Sequence, residues 1–191
     1  MAIPSREHLA EPYDASVRDA RESVVRNQVV ERLWSKDYRL WKPEPAEIAN
    51  RLGWLTLPDD MRAHVQALKT LTVTARKEGI RDVVLLGMGG SSLGPEVFRA
   101  SFGPKKGAPR LWVLDSTVPG WVRLVTKSIH PARTLFLVAS KSGGTIEVMS
   151  LFSHFWKLVA EAKGNRGGQQ FIAITDPGTG LETMAREHGF R

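Results

Sequence analysis

The 191-residue chain holds 27 Lys and Arg against 20 Asp and Glu, a net charge of +7, and 42% of it is hydrophobic. That composition suffices for one well-buried globular core, and the lack of cysteine excludes a disulfide framework and a thiolate metal site. No apolar run approaches the roughly 18 residues that cross a bilayer, and residues 1–11 mix charge with proline rather than forming a secretory apolar stretch, so a cytoplasmic location is expected.

The first predicted element is a long helix over 14–36. Asp14 or Ser16 caps it, and Val17, Val24, Val25, Val29, Leu33 and Trp34 recur at helical spacing. Pro43 and Pro45 then force an extended connection. A short helix over 47–51 stops near Gly53. A second long helix starts at Asp59 and Asp60 and ends at Glu78-Gly79, with Met61, Val65, Leu68, Leu71 and Thr72 on one face. Trp34, Trp41 and Trp54 fall in this half, where core or interface packing is expected of them rather than a ligand stack.

Beyond Gly79 the pattern changes. Val83-Val84-Leu85-Leu86, Leu111-Trp112-Val113-Leu114, Leu135-Phe136-Leu137-Val138-Ala139 and Phe171-Ile172-Ala173-Ile174 are apolar runs without alternation. Strands buried on both faces of a parallel sheet have that composition. A helical stretch follows each, over 95–101, 119–127, 146–162 and 181–188, and residues 164–168 read as a surface turn. Four strand–helix units in series predict an α/β fold, a doubly wound parallel sheet with an N-terminal helical segment. Residues 1–79 are expected to pack on that sheet and 80–191 to form it. Doubly wound sheets commonly have five or more strands, so the chain reads as a fragment or as one that receives a strand from elsewhere.

Two loops carry the chemistry. Gly87-Met88-Gly89-Gly90-Ser91-Ser92 follows the first strand, and Ser140-Lys141-Ser142-Gly143-Gly144-Thr145 follows the third. On neighbouring strands they converge on one crevice. Backbone N–H groups, hydroxyls and a cation there suit a phosphorylated small molecule. Taken alone, the first loop reads better as a plain tight turn with Ser92 capping the next helix. A dinucleotide reading fails at its third glycine, because Ser92 stands there, although Asp115 ends the next strand where a ribose acid would sit. A phosphate-loop reading fails because Pro95-Glu96 follows Gly94. In the second loop Ser140, Ser142 and Thr145 offer hydroxyls, Gly143 and Gly144 admit close backbone approach, and Thr145 opens a helix. Lys141 either pairs with the anion or makes a structural salt bridge. Glu147 either answers the helix dipole or orients a ligand hydroxyl.

The basic residues are scattered and no aromatics interleave with them, which argues against nucleic acid as partner. The histidines, His8, His64, His130, His154 and His188, show no metal-binding spacing, and no metal or other cofactor is expected.

The two loops together, with Leu114-Asp115-Ser116-Thr117-Val118-Pro119 between them, resemble the glucose-6-phosphate isomerase family of sugar isomerase (SIS) domains. Leu40-Trp41-Lys42-Pro43-Glu44-Pro45 through Leu52-Gly53-Trp54-Leu55 is similar to the isomerase half of bacterial transaldolase/isomerase fusions. The resemblance implies a flavodoxin-type three-layer SIS domain at 80–191 and a glycolytic and gluconeogenic sugar-phosphate isomerase working through a cis-enediol. It implies that Gly90 and Ser91 line the site, and that Ser140, Ser142 and Thr145 hold the phosphate with backbone help around Lys141 and Gly143. Glu147 would line the site as well. Gly144 departs from the family's threonine, removing one hydroxyl worth roughly 1 kcal/mol. The family's base Glu, oxyanion-steadying Arg, ring-opening His and a Lys lie downstream of position 191, so none of the catalytic residues is expected in this chain, and the expectation is weak or no sugar-phosphate binding and no turnover in isolation. A homodimer is implied for the longer enzyme. The alternative is a non-catalytic SIS module that senses a sugar phosphate within a regulator, although the helices before Gly79 show no helix-turn-helix pattern.

Overall fold

The computed structural model describes residues 13–191, so His8 and the rest of 1–12 lie outside it. The chain divides into two compact units between Leu68 and Lys69. In the first, α1 (Tyr13–Arg26) and α2 (Val29–Trp34) replace the single predicted helix. The break is local chemistry. The Asn27 side-chain amide donates to the Ser23 carbonyl (3.0 Å) and hydroxyl (3.1 Å), and Gln28 turns left-handed at φ 49°. The predicted helix over 47–51 shrinks to a 3₁₀ turn at Ala49–Arg51 after Glu47, whose φ is 60°. The second long helix is instead α3 (Leu57–Asp60), a 3₁₀ turn at Met61–His64, and α4 (Val65–Lys77). Leu52 and Leu55 are buried, whereas Trp34, Trp41 and Trp54 are exposed, which removes the core alternative for them and leaves interface packing.

The second unit is the sheet. β1 (Asp82–Gly87), β2 (Arg110–Leu114), β3 (Thr134–Ala139) and β4 (Phe171–Ile174) lie parallel in the order β2-β1-β3-β4. Each falls on a predicted apolar run, and the central β1 and β3 are almost wholly buried. The strands are joined by α5 (Gly90–Phe102), α6 (Pro119–Ser128) and α7 (Ile146–Lys163), and α8 (Gly180–Glu187) follows β4. Alternation divides the strand residues between two faces. Val84, Leu86, Phe136, Val138 and Phe171 pack with Val125 of α6, with Val148, Leu151, Phe152, Phe155 and Val159 of α7, and with Leu181 of α8. Phe136 lies between Phe155 and Phe171, with both ring centroids 5.0 Å away. On the other face Leu135 meets Ala75 of α4 and Ile80. At the start of the sheet the buried Asp82 carboxylate accepts from Arg110 Nε (2.8 Å) and Trp112 Nε1 (3.0 Å) on β2, while the Arg110 guanidinium stacks 4.4 Å over the Trp112 ring.

Two local expectations are corrected here. Of residues 164–168, expected as a surface turn, 164–166 are exposed and Gly167 and Gly168 are not. They belong to a 3₁₀ segment, Gly164–Gln170, in which Gly167, Gly168 and Gln170 are buried. Glycine is needed at 168 for close approach, because a Cβ there would lie 1.9 Å from the His188 carbonyl oxygen. The helix predicted from Pro95 starts five residues earlier, at Gly90, and Pro95 sits inside it.

Candidate functional site at the carboxyl edge of β1 and β3

The chain moves outward from β1 to β2, then passes back over β1 to β3. Its direction therefore reverses between β1 and β3, and open α/β sheets form their ligand crevice outside the strand ends at such a reversal. β1 and β3 are hydrogen-bonded neighbours, with Gly87 opposite Ala139. Both glycine- and serine-bearing loops thus leave the sheet from paired residues.

The first loop is short because its turn is tight. Ser91 N–H donates to the Met88 carbonyl (3.0 Å), and Gly89 lies at φ 51°, ψ −119°, the first central position of a type II′ turn. That geometry suits glycine alone and puts Gly90 and Ser91 in the first turn of α5. Ser92 is buried, and its hydroxyl donates back to the Gly89 carbonyl (3.0 Å), so Gly89 rather than Ser92 holds the cap position.

The second loop turns at Ser140, whose carbonyl accepts from Gly143 N–H (3.1 Å). Gly143 has φ +70° and is pressed against the start of α8. A Cβ on it would stand 2.6 Å from Thr179 Cβ and 3.0 Å from Leu181 N. Thr145 is the N-cap of α7, yet its side chain caps no helix amide. Its hydroxyl pairs with that of Ser140 (2.9 Å). The first helical bond reaches Met149 N–H, so the amides of Ile146, Glu147 and Val148 precede the helical ladder at the positive end of an 18-residue helix. Anions favour such an end.

The expected site residues differ in accessibility. Ser142, Gly144, Glu147 and Gly90 are exposed, Ser91 and Thr145 half-exposed, and Ser140 and Gly143 buried. Ser140 therefore supports Thr145 from beneath. The Lys141 ammonium, one of two orientations weighed from the sequence, pairs with Asp176 Oδ2 at 2.5 Å. Gly144 has open space around its Cβ position, and its N–H donates weakly to Ser142 Oγ (3.4 Å).

Sequence reasoning missed the loop over 175–179, which follows β4 and braces this cup. Lys141's carbonyl accepts from Asp176 N–H (3.2 Å) and Thr175 Oγ1 (3.4 Å). Thr179 caps α8, accepting from Glu182 N–H (3.3 Å), while Gly178 N–H donates to Glu182 Oε2 (2.6 Å). That amide, with Arg186 second, holds the Glu182 carboxyl below its ordinary range. The spacing Thr179-Gly180-Leu181-Glu182 is a capping-box signature that was available in the sequence.

Among the described residues no group of His, Asp and Glu converges as a metal site, and no helix is long and apolar enough to cross a membrane.

A family model described as phosphoglucose isomerase matches residues 55–186. A glucose-6-phosphate isomerase of Thermus thermophilus is 30% identical over 150 residues, covering 76% of this chain and 34% of the relative. That of Rubrobacter xylanophilus is 33% identical over 137 residues, covering 68% and 32%. The chain therefore spans about a third of the length of the curated relatives it matches. Among solved structures, a hypothetical protein from Thermus thermophilus superposes with a TM-score of 0.67 at 27% identity, covering 90% of this chain and 40% of that one. A glucose-6-phosphate isomerase from Chlamydia trachomatis shares the fold, with a TM-score of 0.58 at 23% identity over 81% of this chain and 29% of its own.

Proposed function

We propose, since the chain belongs to the phosphoglucose isomerase family, that its β1 and β3 loops together hold the phosphoryl group of glucose 6-phosphate or fructose 6-phosphate. The observation that carries this reading is the pairing of Gly87 with Ala139, which brings both loops to the one topological reversal of the sheet. In this role the first-turn amides of α7 and the hydroxyls of Ser142 and Thr145 donate to phosphoryl oxygens, and the backbone at Gly90 and Ser91 closes the opposite wall. Ser140 acts through Thr145, whose hydroxyl it fixes at 2.9 Å. The half-exposed Lys141–Asp176 pair leaves the Lys141 backbone, more than its ammonium, to serve the anion. Glu147, exposed in the first turn of α7, is in this reading the acceptor for a sugar hydroxyl.

The reaction of the family moves a proton between C2 and C1 of an open-chain sugar phosphate. The resemblance puts the groups that move it downstream of position 191. We therefore expect the 191-residue polypeptide to bind fructose 6-phosphate weakly and not to interconvert it with glucose 6-phosphate. Calorimetric titration with fructose 6-phosphate, set beside fructose, tests the first part. Equal affinity for the two would remove the phosphoryl group from the recognition. A coupled assay tests the second, and turnover by the purified polypeptide would place the proton-transferring groups within these residues.

Gly144 supplies a further check. Its Cβ position is open and its φ lies outside the positive range, so Gly144→Thr adds its Cβ without a clash or backbone strain. The added hydroxyl is expected to tighten fructose 6-phosphate binding about fivefold, the worth of one ordinary hydrogen bond. Calorimetry on the variant reads it directly.

A further inference from the structure

We infer that the loop over 175–179 is a positioning device that aims the Ser142 amide into the β1/β3 crevice, with the Thr175 hydroxyl as its side-chain contribution beside the Asp176 amide. The inference rests on the sugar-phosphate reading and adds to it a group outside both glycine-rich loops. Two observations and the geometry of the trans peptide support it. The Lys141 carbonyl accepts two donors from this loop, Asp176 N–H at 3.2 Å and the Thr175 hydroxyl at 3.4 Å. In a planar trans peptide the carbonyl and the following N–H point in opposite directions. The loop leaves β4, which flanks β3 on one side, and β1 flanks it on the other. Holding the Lys141 carbonyl toward β4 therefore turns the Ser142 N–H toward β1 and the crevice.

The hydroxyls are wired for that task. Thr179 Oγ1 accepts from Glu182 N–H and lies 2.8 Å from Thr175 Oγ1. If Thr179 donates to Thr175, Thr175 is left to donate to the Lys141 carbonyl, and every hydroxyl in the chain gives one bond and takes one. The relay starts at the N-terminus of α8 and ends on the peptide that opens the phosphate loop. The Lys141–Asp176 ion pair closes the same contact from the side chains. Both of its partners are about half exposed, so its contribution is geometric more than energetic.

The test is Thr175→Val, which keeps the shape and removes the hydroxyl, beside Thr175→Ser, which keeps the hydroxyl. Two readouts are needed on the uniformly labelled 191-residue chain, the Lys141 carbonyl ¹³C and Ser142 amide ¹⁵N shifts, and the fructose 6-phosphate dissociation constant. Thr175→Val is expected to move both resonances and to raise the dissociation constant about fivefold. Thr175→Ser is expected to return all three to the wild-type values. Should Thr175→Val not fold, Thr175→Ala makes the same comparison. Wild-type resonances in the hydroxyl-less variant would overturn the inference, as would a Thr175→Ser variant that behaves like it. If the wild-type chain binds no fructose 6-phosphate, the sugar-phosphate reading fails, and the two resonances still decide whether Thr175 orients the peptide.

Discussion

Gly143→Ala is expected to lower the melting temperature by about 6–12 °C and to weaken fructose 6-phosphate binding at least tenfold. Two costs add. Alanine at φ +70° takes a left-handed backbone that costs roughly 1–2 kcal/mol. Its methyl would also lie 2.6 Å from Thr179 Cβ and 3.0 Å from Leu181 N. The Leu181 amide is backbone at the start of α8, so the loop rather than the helix must move, at an overpacking cost of about 1–3 kcal/mol. For a chain of this length roughly 3 kcal/mol corresponds to the stated shift. The binding loss follows from geometry, because Gly143 stands two residues before the Thr145 cap and its amide closes the Ser140 turn. Thermal melting and calorimetry on one preparation check both parts. A variant that melts normally but binds poorly would leave the loop's packing out of the explanation.

Gly168→Ala is expected to act through stability. The added methyl would meet the His188 carbonyl oxygen at 1.9 Å and the Gly189 carbonyl oxygen at 2.7 Å. Those carbonyls belong to the turn that ends α8 and returns Phe190 to the aromatic cluster, 5.3 Å from Phe171, and Arg191 N–H to the Phe171 carbonyl (3.0 Å). Lifting the turn loses these contacts together, so a cost of about 3 kcal/mol or more is expected, with failure to fold at the upper end. Urea denaturation followed by circular dichroism measures it. Gly120→Ala is the control, since nothing lies within 4 Å of its Cβ position. Equal denaturation midpoints for the wild type and Gly168→Ala would mean that the terminal turn does not rest on this glycine.

The strands were readable because burial on both faces leaves an uninterrupted apolar run, and Val83-Val84-Leu85-Leu86 cannot be exposed without cost. The candidate site was readable for a related reason. Glycines and hydroxyls placed directly after such runs fall at strand tips, and the pairing of Gly87 with Ala139 brings two tips together. What escaped was set by contacts distant in sequence or by competition between local signals. Pro95 looked like a helix start because proline favours the first turn, yet the type II′ turn at Gly89 had already begun the helix. Gly168 looked like a turn residue, whereas the structure requires a glycine there because a second backbone passes. Asn27 broke a helix whose apolar spacing continued through it. The brace over 175–179 depends on partners some 35 residues away, although its Thr179–Glu182 capping spacing is local.

Amide-resolved titration of the ¹⁵N-labelled 191-residue chain with fructose 6-phosphate is the most direct experiment. Shifts confined to Gly90, Ser91 and the stretch from Ser142 to Glu147, present with the phosphorylated sugar and absent with fructose, are the expected result. Shifts elsewhere on the sheet, or in one loop with the other silent, would contradict a phosphoryl site shared between the β1 and β3 tips.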